Sequence, residues 1–151
     1  MPIDSQVQEL TKLLYSLGDL LRHQEQEQLC CYDVTTSECR ALSYLKQTEH
    51  NVTMNELAEK LALTRSGATR VIDKLSNKGY VIRLTDSIDK RVCCIVLSQE
   101  GTKLIDRIES EVLAYHQQIL MKLDPAMRQV VIASLQALQS TVQQVQRNIG
   151  K

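Results

Sequence analysis

The chain has 151 residues, of which 43% are hydrophobic and 24% are charged, the balance of a soluble globular protein. Its formal net charge is zero, which argues against a protein that coats nucleic acid non-specifically. No apolar run approaches the roughly 20 residues that a membrane span requires, and the N-terminus has no basic region leading into an apolar stretch. We therefore expect a cytoplasmic protein with no membrane partner.

The positive charges are concentrated in one segment. Between Thr64 and Cys94 there are seven Lys or Arg residues and three Asp residues, a surplus of four positive charges. The rest of the chain carries the compensating negative charge, because the total is zero. A basic segment within an acidic remainder is typical of a protein that binds nucleic acid through one face.

The first predicted helix runs from residue 3 to about residue 28. Its apolar positions recur at steps of four and three, which draws one stripe along the helix. Leu13 and Leu20 widen this stripe beyond what a single neighbouring helix requires, and the width favours burial against two surfaces, one of them another subunit. The stripe consists of Ile3, Val7, Leu10, Leu14, Leu17 and Leu21.

The next segment predicts a helix-turn-helix. Thr35 with Glu38, and Thr53 with Glu56, have the spacing of capping boxes that begin two helices. The spacing predicts a helix over 54–61, a turn at Ala62-Leu63, and a longer helix over 65–78 that Thr64 caps and Gly79 ends. Small and apolar residues fall where two helices crossing around such a turn make contact: Leu57, Ala58, Leu61, Leu63, Ala68 and Val71.

Two strands and two long helices complete the chain. Residues 80–85 and 92–97 are β-branched and aliphatic runs on either side of a polar tip, which predicts a hairpin, the wing. Ser98 caps a helix that runs to about Leu123, and Asp124 with Pro125 begins the last one. Its apolar seam has few partners within a chain of this size and predicts a dimer interface.

The predicted fold class is mainly α with a small β-hairpin wing, a winged helix-turn-helix with dimerisation helices at both ends. Residues 31–99 form the predicted DNA-binding lobe, and residues 1–30 and 100–151 form the predicted helical dimerisation region. The shape presents one helix to the major groove of double-stranded DNA.

Over nearly its whole length the chain resembles the MarR family of transcriptional regulators. Asp89-Lys90-Arg91 is similar to the family's D-x-R wing, and Leu97-Ser98-x-x-Gly101 is similar to its L-T-x-x-G entry to the next helix, with Ser98 in place of Thr. Residues 63–75 and 78–81 resemble the recognition helix and its exit. The resemblance implies a homodimer with interlocked terminal helices that binds a palindromic operator as a regulator, with repression the favoured direction.

The candidate DNA contacts lie on the longer helix and on the wing. Arg65, Ser66, Thr69 and Arg70 occupy the leading, exposed side of the helix, where Arg can donate two hydrogen bonds to guanine. The residues expected to contact phosphate are Lys74 and Lys78. The candidate contacts at the wing tip are Asp89, Lys90 and Arg91. We expect Arg91 to enter the minor groove. We expect Asp89 to orient the Arg91 guanidinium through a bidentate pair.

Five cysteines in a cytoplasmic chain are expected to be reduced thiols. Cys30, Cys31 and Cys39 lie near one predicted bend, where a soft metal, a metalloid or an oxidant is a candidate effector. No cofactor is required. Cys39 is as well explained as a small core residue, and at least one of Cys93 and Cys94 is expected to pack inside.

Two alternatives stay open. The first alternative is a pocket for a small aromatic effector, lined by Tyr15, Tyr32, Tyr44 and Tyr115. Each of these tyrosines is more often a core residue. A thiol oxidoreductase or metal carrier is the other. An enzyme is disfavoured because the sequence has no Gly-rich phosphate loop, no nucleophile elbow and no C-x-x-C pair.

Overall fold

The computed structural model describes residues 2–85 and 93–149. In chain order its elements are α1 (Ile3–Cys30), α2 (Thr36–Gln47), β1 (Val52–Thr53), α3 (Met54–Leu61), α4 (Arg65–Asn77), β2 (Val81–Thr85), β3 (Cys93–Leu97), α5 (Gln99–Lys122) and α6 (Pro125–Ile149). The chain divides into two compact units, residues 1–108 and 109–151. The predicted mainly helical fold class with a small hairpin is confirmed.

The helix-turn-helix forms as predicted, through its caps. The side chain of Thr64 accepts a hydrogen bond from the Gly67 amide and begins α4. Ala62 takes a left-handed conformation with φ 54° at the end of α3, and Gly79 takes φ 78° after α4. Ala62 turns the chain between α3 and α4, whose buried residues belong to one cluster, and Gly79 turns it from α4 toward β2.

The hairpin belongs to a three-stranded antiparallel sheet in the order β1-β3-β2. The sequence predicted β2 and β3 but not β1, which pairs Val52 with Ile95 and Thr53 with Cys94. In the hairpin, Val81 pairs with Leu97 and Thr85 with Cys93. The short β1 therefore joins the start of the helix-turn-helix to strand β3 of the wing.

The core of the first unit is aliphatic and lies between the helices and this sheet. Leu42, Leu57, Ile72, Leu75 and Ile95 are among its largest fully buried side chains. The side chain of Ile105, from the first turns of α5, belongs to the same cluster. Each helix of the motif thus packs into the core through its inner face, and its outer face is exposed to solvent.

Capping interactions also set the start of α2 and α5. Thr35 and Glu38 form the predicted capping box. Ser98 accepts a hydrogen bond from the Gly101 amide at 3.0 Å and donates one to the Gly79 carbonyl at 2.6 Å. The entry to α5 is therefore fastened to the residue that ends α4.

One predicted cap is only half formed. The Thr53 hydroxyl accepts a hydrogen bond from the Glu56 amide at 3.2 Å, as expected. The reciprocal bond that completes the box at Thr35 and Glu38 is not formed here, although the Thr53 backbone still contributes to lowering the pKa of the Glu56 carboxyl. The predicted capping box at Thr53-Glu56 is corrected to a single N-cap.

The second unit contains the end of α5 and all of α6. Asp124 accepts a hydrogen bond from the Ala126 amide at 2.8 Å, which begins α6 next to Pro125 as predicted. No residue of α6 is buried over its length 125–149. Within 2–85 and 93–149, no helix is long and apolar enough to cross a membrane.

Candidate nucleic-acid interface

The leading turn of α4 presents two arginines to solvent. Arg65 and Arg70 are exposed, as are Ser66 and Lys74, while Thr69 is half-buried. Among the described residues, no carboxylate lies within ion-pair distance of Arg65, Arg70 or Lys74. Their charges are therefore available to an external anion.

Local hydrogen bonds order the polar side chains beside these arginines. The Thr69 hydroxyl donates to the Arg65 carbonyl at 2.8 Å. The hydroxyls of Thr64 and Ser66 lie 3.1 Å apart, within hydrogen-bond distance. Ala68 and Ile72, on the opposite side of α4, are fully buried. The exposed arginines therefore stand on a helix whose rotation about its axis is fixed by packing.

Lys78 differs from the other predicted contacts. Its ammonium lies 3.1 Å from Oε2 of Glu38, which is 1% exposed, and also donates to the Asp33 carbonyl. A phosphate contact by Lys78 stays a prediction, since its charge already neutralises a buried carboxylate. The sequence placed Lys78 one turn beyond Lys74 but carried no signal that a residue 40 positions away faces it.

An ion pair joins α4 to the first strand of the wing. The guanidinium of Arg83 on β2 bonds the carboxylate of Asp73 on α4. Sequence reasoning counted Arg83 within the basic segment without giving it this role. The pair joins α4 to strand β2 of the wing.

The predicted wing-tip contacts Asp89, Lys90 and Arg91 lie outside the described residues. The strands that lead to them are described from Val81 to Thr85 and from Cys93 to Leu97. Ile82 and Leu84 on β2 are 48% and 41% exposed. The roles of the three tip residues therefore stay predictions.

Glu56 joins three segments at the start of the helix-turn-helix. Its Oε1 accepts a hydrogen bond from the Tyr44 hydroxyl at 2.7 Å and lies 2.8 Å from Nε2 of His50. The bond from Tyr44, with a smaller contribution from His50, lowers the pKa of the Glu56 carboxyl. The same bond raises the pKa of the Tyr44 hydroxyl. Glu56 was predicted only as a capping residue.

The cysteines do not assemble into one site in the described part of the chain. Cys30 and Cys31 are exposed at the end of α1, and Cys39 is half-buried against the core. Within 2–85 and 93–149, no group of three or more His, Cys, Asp or Glu side chains is arranged to hold a metal ion. The tentative metal site at Cys30, Cys31 and Cys39 is therefore not formed in this structure.

Cys30 and Cys39 line different clefts. Cys30 lines one of about 500 Å³ together with Lys74 and Lys78 of α4. Cys39 lines one of about 260 Å³ with Tyr44 and Lys60. Of the four tyrosines proposed for an aromatic pocket, Tyr44 lines this second cleft and Tyr15 is 71% exposed. Cys93 is exposed and Cys94 is buried, as expected for neighbours on a strand.

Two sequence comparisons find similar proteins. A sequence model of the MarR family matches residues 32–91, from the end of α1 into the wing. An uncharacterized HTH-type transcriptional regulator of Bacillus cereus is 31% identical over 84 residues, which are 56% of this chain and 54% of that protein. The chain thus spans about half the length of the curated relative that it matches.

The structural comparisons cover more of the chain. A MarR family protein from Bacillus stearothermophilus matches with a TM-score of 0.82 and 26% identity, over 95% of this chain and 99% of that one. MepR of Staphylococcus aureus, in its complex with DNA, matches with a TM-score of 0.67 and 22% identity over 86% of this chain and 95% of that one. At that identity, the second match shows a shared fold.

Proposed function

We propose that this chain is a DNA-binding transcriptional regulator of the MarR family, because the family model matches residues 32–91 and a MarR family protein shares its fold. It acts as a homodimer on a palindromic operator and represses transcription by occupying DNA that RNA polymerase requires. We expect such a regulator to act in the cytoplasm. Its partner is double-stranded DNA.

One observation carries this proposal: Arg65 and Arg70 are exposed, without an ion-pair partner among the described residues, on a helix whose other side is buried. An unpaired guanidinium can donate two hydrogen bonds to guanine in the major groove. Since Ala68 and Ile72 fix how α4 is rotated, both arginines would enter the groove without rearrangement of the lobe. Lys74 would contact phosphate one turn further along.

Exposed apolar faces support the homodimer. The stripe on α1 is between 43% and 69% exposed, and α6 has no buried residue over 125–149. Contiguous apolar surfaces of this kind are typical of interfaces rather than of monomers. Two-fold pairing would place two recognition helices on successive major grooves about 34 Å apart.

For the effector, we propose modification of the exposed pair Cys30 and Cys31 by an oxidant or a thiophilic metalloid. Two adjacent exposed thiols are accessible to such reagents. Cys39 is a candidate third thiol only after rearrangement, because it faces a different cleft. A small aromatic effector beside Tyr44 is the alternative, and the 260 Å³ cleft is its candidate site.

The DNA-binding proposal is tested by selecting the preferred sequence from random duplexes and measuring its affinity for Arg65→Ala and Arg70→Ala. Each substitution is expected to weaken binding by about 1–3 kcal/mol, the contribution of a bidentate contact to a base. Arg22→Ala, which removes an exposed arginine from α1, is the matched control and should bind as the wild type does. Equal affinities for all four proteins would contradict the proposal.

Arg91→Ala tests the wing. We expect weaker operator binding, most of all for operators whose flanks are rich in A·T pairs, because a narrow minor groove attracts arginine. Dimerisation, measured by sedimentation, should not change. Wild-type affinity at physiological salt would refute the role of Arg91 and leave that of α4 intact.

The effector proposal requires release of the operator to be titrated separately with arsenite, cadmium, peroxide and phenolic acids. Release by a thiol reagent that disappears in the Cys30→Ser, Cys31→Ser double variant supports thiol sensing. Release by a phenolic acid that survives those substitutions supports the aromatic alternative. A promoter fused to a reporter gene then reports whether occupancy represses transcription.

A further inference from the structure

We propose that Lys78 couples the bend between α1 and α2 to the end of the recognition helix, so that a change at the bend reaches the DNA-binding surface. We call residues 31–35 the α1–α2 corner. The proposal rests on the proposed function and adds a route for its regulation.

The first part of the coupling is a charge pair whose carboxylate is buried. Glu38 is 1% exposed, and its Oε2 lies 3.1 Å from the Lys78 ammonium and accepts a hydrogen bond from the Thr35 amide at 3.0 Å. A carboxylate withdrawn from water is stable only with such partners. Loss of the Lys78–Glu38 contact would therefore destabilise the start of α2. The same contact holds the end of α4 against the corner.

The second part is the corner itself. The Lys78 ammonium also donates to the carbonyl of Asp33 and lies 3.8 Å from its carboxylate. Asp33 has φ 53°, a left-handed conformation that costs free energy for a residue with a side chain. A lysine bonded to that carbonyl stabilises the uncommon conformation. The corner and the helix end thus share one ammonium group.

Lys78 is well placed to transmit a displacement. It immediately follows α4, and its amide donates to the Lys74 carbonyl, so its backbone continues the helix. Gly79, which follows, is held by the hydroxyl of Ser98. If the ammonium moved with the corner, the terminal turn of α4 would therefore be displaced with it.

The cleft beside this bridge provides an entry point for a probe. It has a volume of about 500 Å³, and its lining includes Cys30 on one side and Lys74 and Lys78 on the other. The Cys30 thiol is exposed. A group attached to that sulfur would occupy space next to Asp33 and Lys78 and would compete with the bridge.

The coupling can be tested without DNA. Cys30 is alkylated with iodoacetamide in a protein whose other cysteines are serine, and hydrogen exchange of residues 74–80 is compared with and without alkylation. We expect alkylation to speed exchange there in the parent protein and in Lys74→Met. In Lys78→Met, exchange should already be fast and alkylation should add nothing. Lys74→Met is matched, since it removes a lysine from the same cleft and helix.

An effect of alkylation on residues 74–80 that is equal in Lys78→Met and in the parent would overturn the proposal, as would no effect in the parent. Lys78→Met leaves the buried Glu38 carboxylate without its cation, a change large enough to prevent folding. In that event the double variant Glu38→Gln, Lys78→Gln replaces it, because it removes both charges and keeps polar groups in place.

A second measurement separates this coupling from the proposed function. Operator affinity is measured before and after alkylation, and the ratio should fall in the roughly 5–150-fold range typical of coupled sites for the parent and near one for Lys78→Met. If no duplex binds at all, the proposed function fails, whereas the exchange result still decides the coupling. A ratio unchanged by Lys78→Met would overturn the coupling while the regulator stands.

Discussion

At the scale of single residues, Glu56 makes the start of the helix-turn-helix sensitive to pH. The hydrogen bond from Tyr44 lowers the pKa of Glu56 below its ordinary value of 4.5. A carboxyl group with a lowered pKa stabilises the fold fully above that ordinary value, and the contribution is lost as pH falls through the lowered one. Tyr44 has the opposite sign: its raised pKa stabilises the fold below 10.0, and the contribution is lost as pH rises.

We therefore expect Glu56→Gln to lower the melting temperature at neutral pH, and to have a smaller effect once the pH falls through the lowered pKa of the wild-type carboxyl. Thermal unfolding followed by circular dichroism across pH 3–7 measures the difference. Glu59→Gln, also on α3 but exposed, is the control and should show no comparable pH-dependent loss. A melting difference between wild type and Glu56→Gln that stayed constant with pH would show that the hydrogen bond does not depend on ionisation.

At the scale of elements, Gly101 determines how α5 leaves the sheet. A Cβ atom built on Gly101 would lie 2.0 Å from the carbonyl oxygen of Tyr80. Because this oxygen belongs to the backbone, it cannot move aside without a large cost in free energy. We expect Gly101→Ala to lower the free energy of unfolding by at least the roughly 1–3 kcal/mol typical of overpacking. Urea denaturation measures this change.

Gly18→Ala is the comparison for that experiment. Its added Cβ would meet only the end of the Arg22 side chain, at 3.4 Å, on a helix. Alanine is favoured over glycine in a helix by about 0.5–1 kcal/mol, so this variant should be neutral or slightly more stable. If both substitutions had the same effect, close packing of α5 on Tyr80 would not be the cause.

Elements that depend on local pattern were predictable from the sequence, whereas long-range partners were not. The bounds of α3, the left-handed Gly79 and the caps at Thr64 and Ser98 follow from neighbouring residues. Strand β1 has two residues and exists only because β3, some 40 positions later, pairs with it. The exposed arginines of α4 were likewise predictable from its periodicity, but the capture of Lys78 by Glu38 was not.

At the scale of the whole molecule, the proposed homodimer and its two-fold operator depend on the apolar stripe on α1. Leu14 and Leu17 in this stripe are 45% and 47% exposed. A carboxylate introduced there would be buried without a partner in a dimer, and two-fold symmetry would repeat the cost on the other copy. We expect Leu17→Glu to raise the dimer dissociation constant by more than about tenfold, which corresponds to 1.4 kcal/mol.

Sedimentation equilibrium measures that constant, and circular dichroism verifies that helix content is retained. Ser16→Glu adds the same charge on another face of α1 and should leave the dimer intact. Operator affinity should decrease when the dimer dissociates, because a monomer presents one α4 helix and loses contact with the second half-site. A Leu17→Glu protein that became monomeric yet bound the full operator as tightly as the wild type would show that pairing through α1 is not what aligns the two recognition helices.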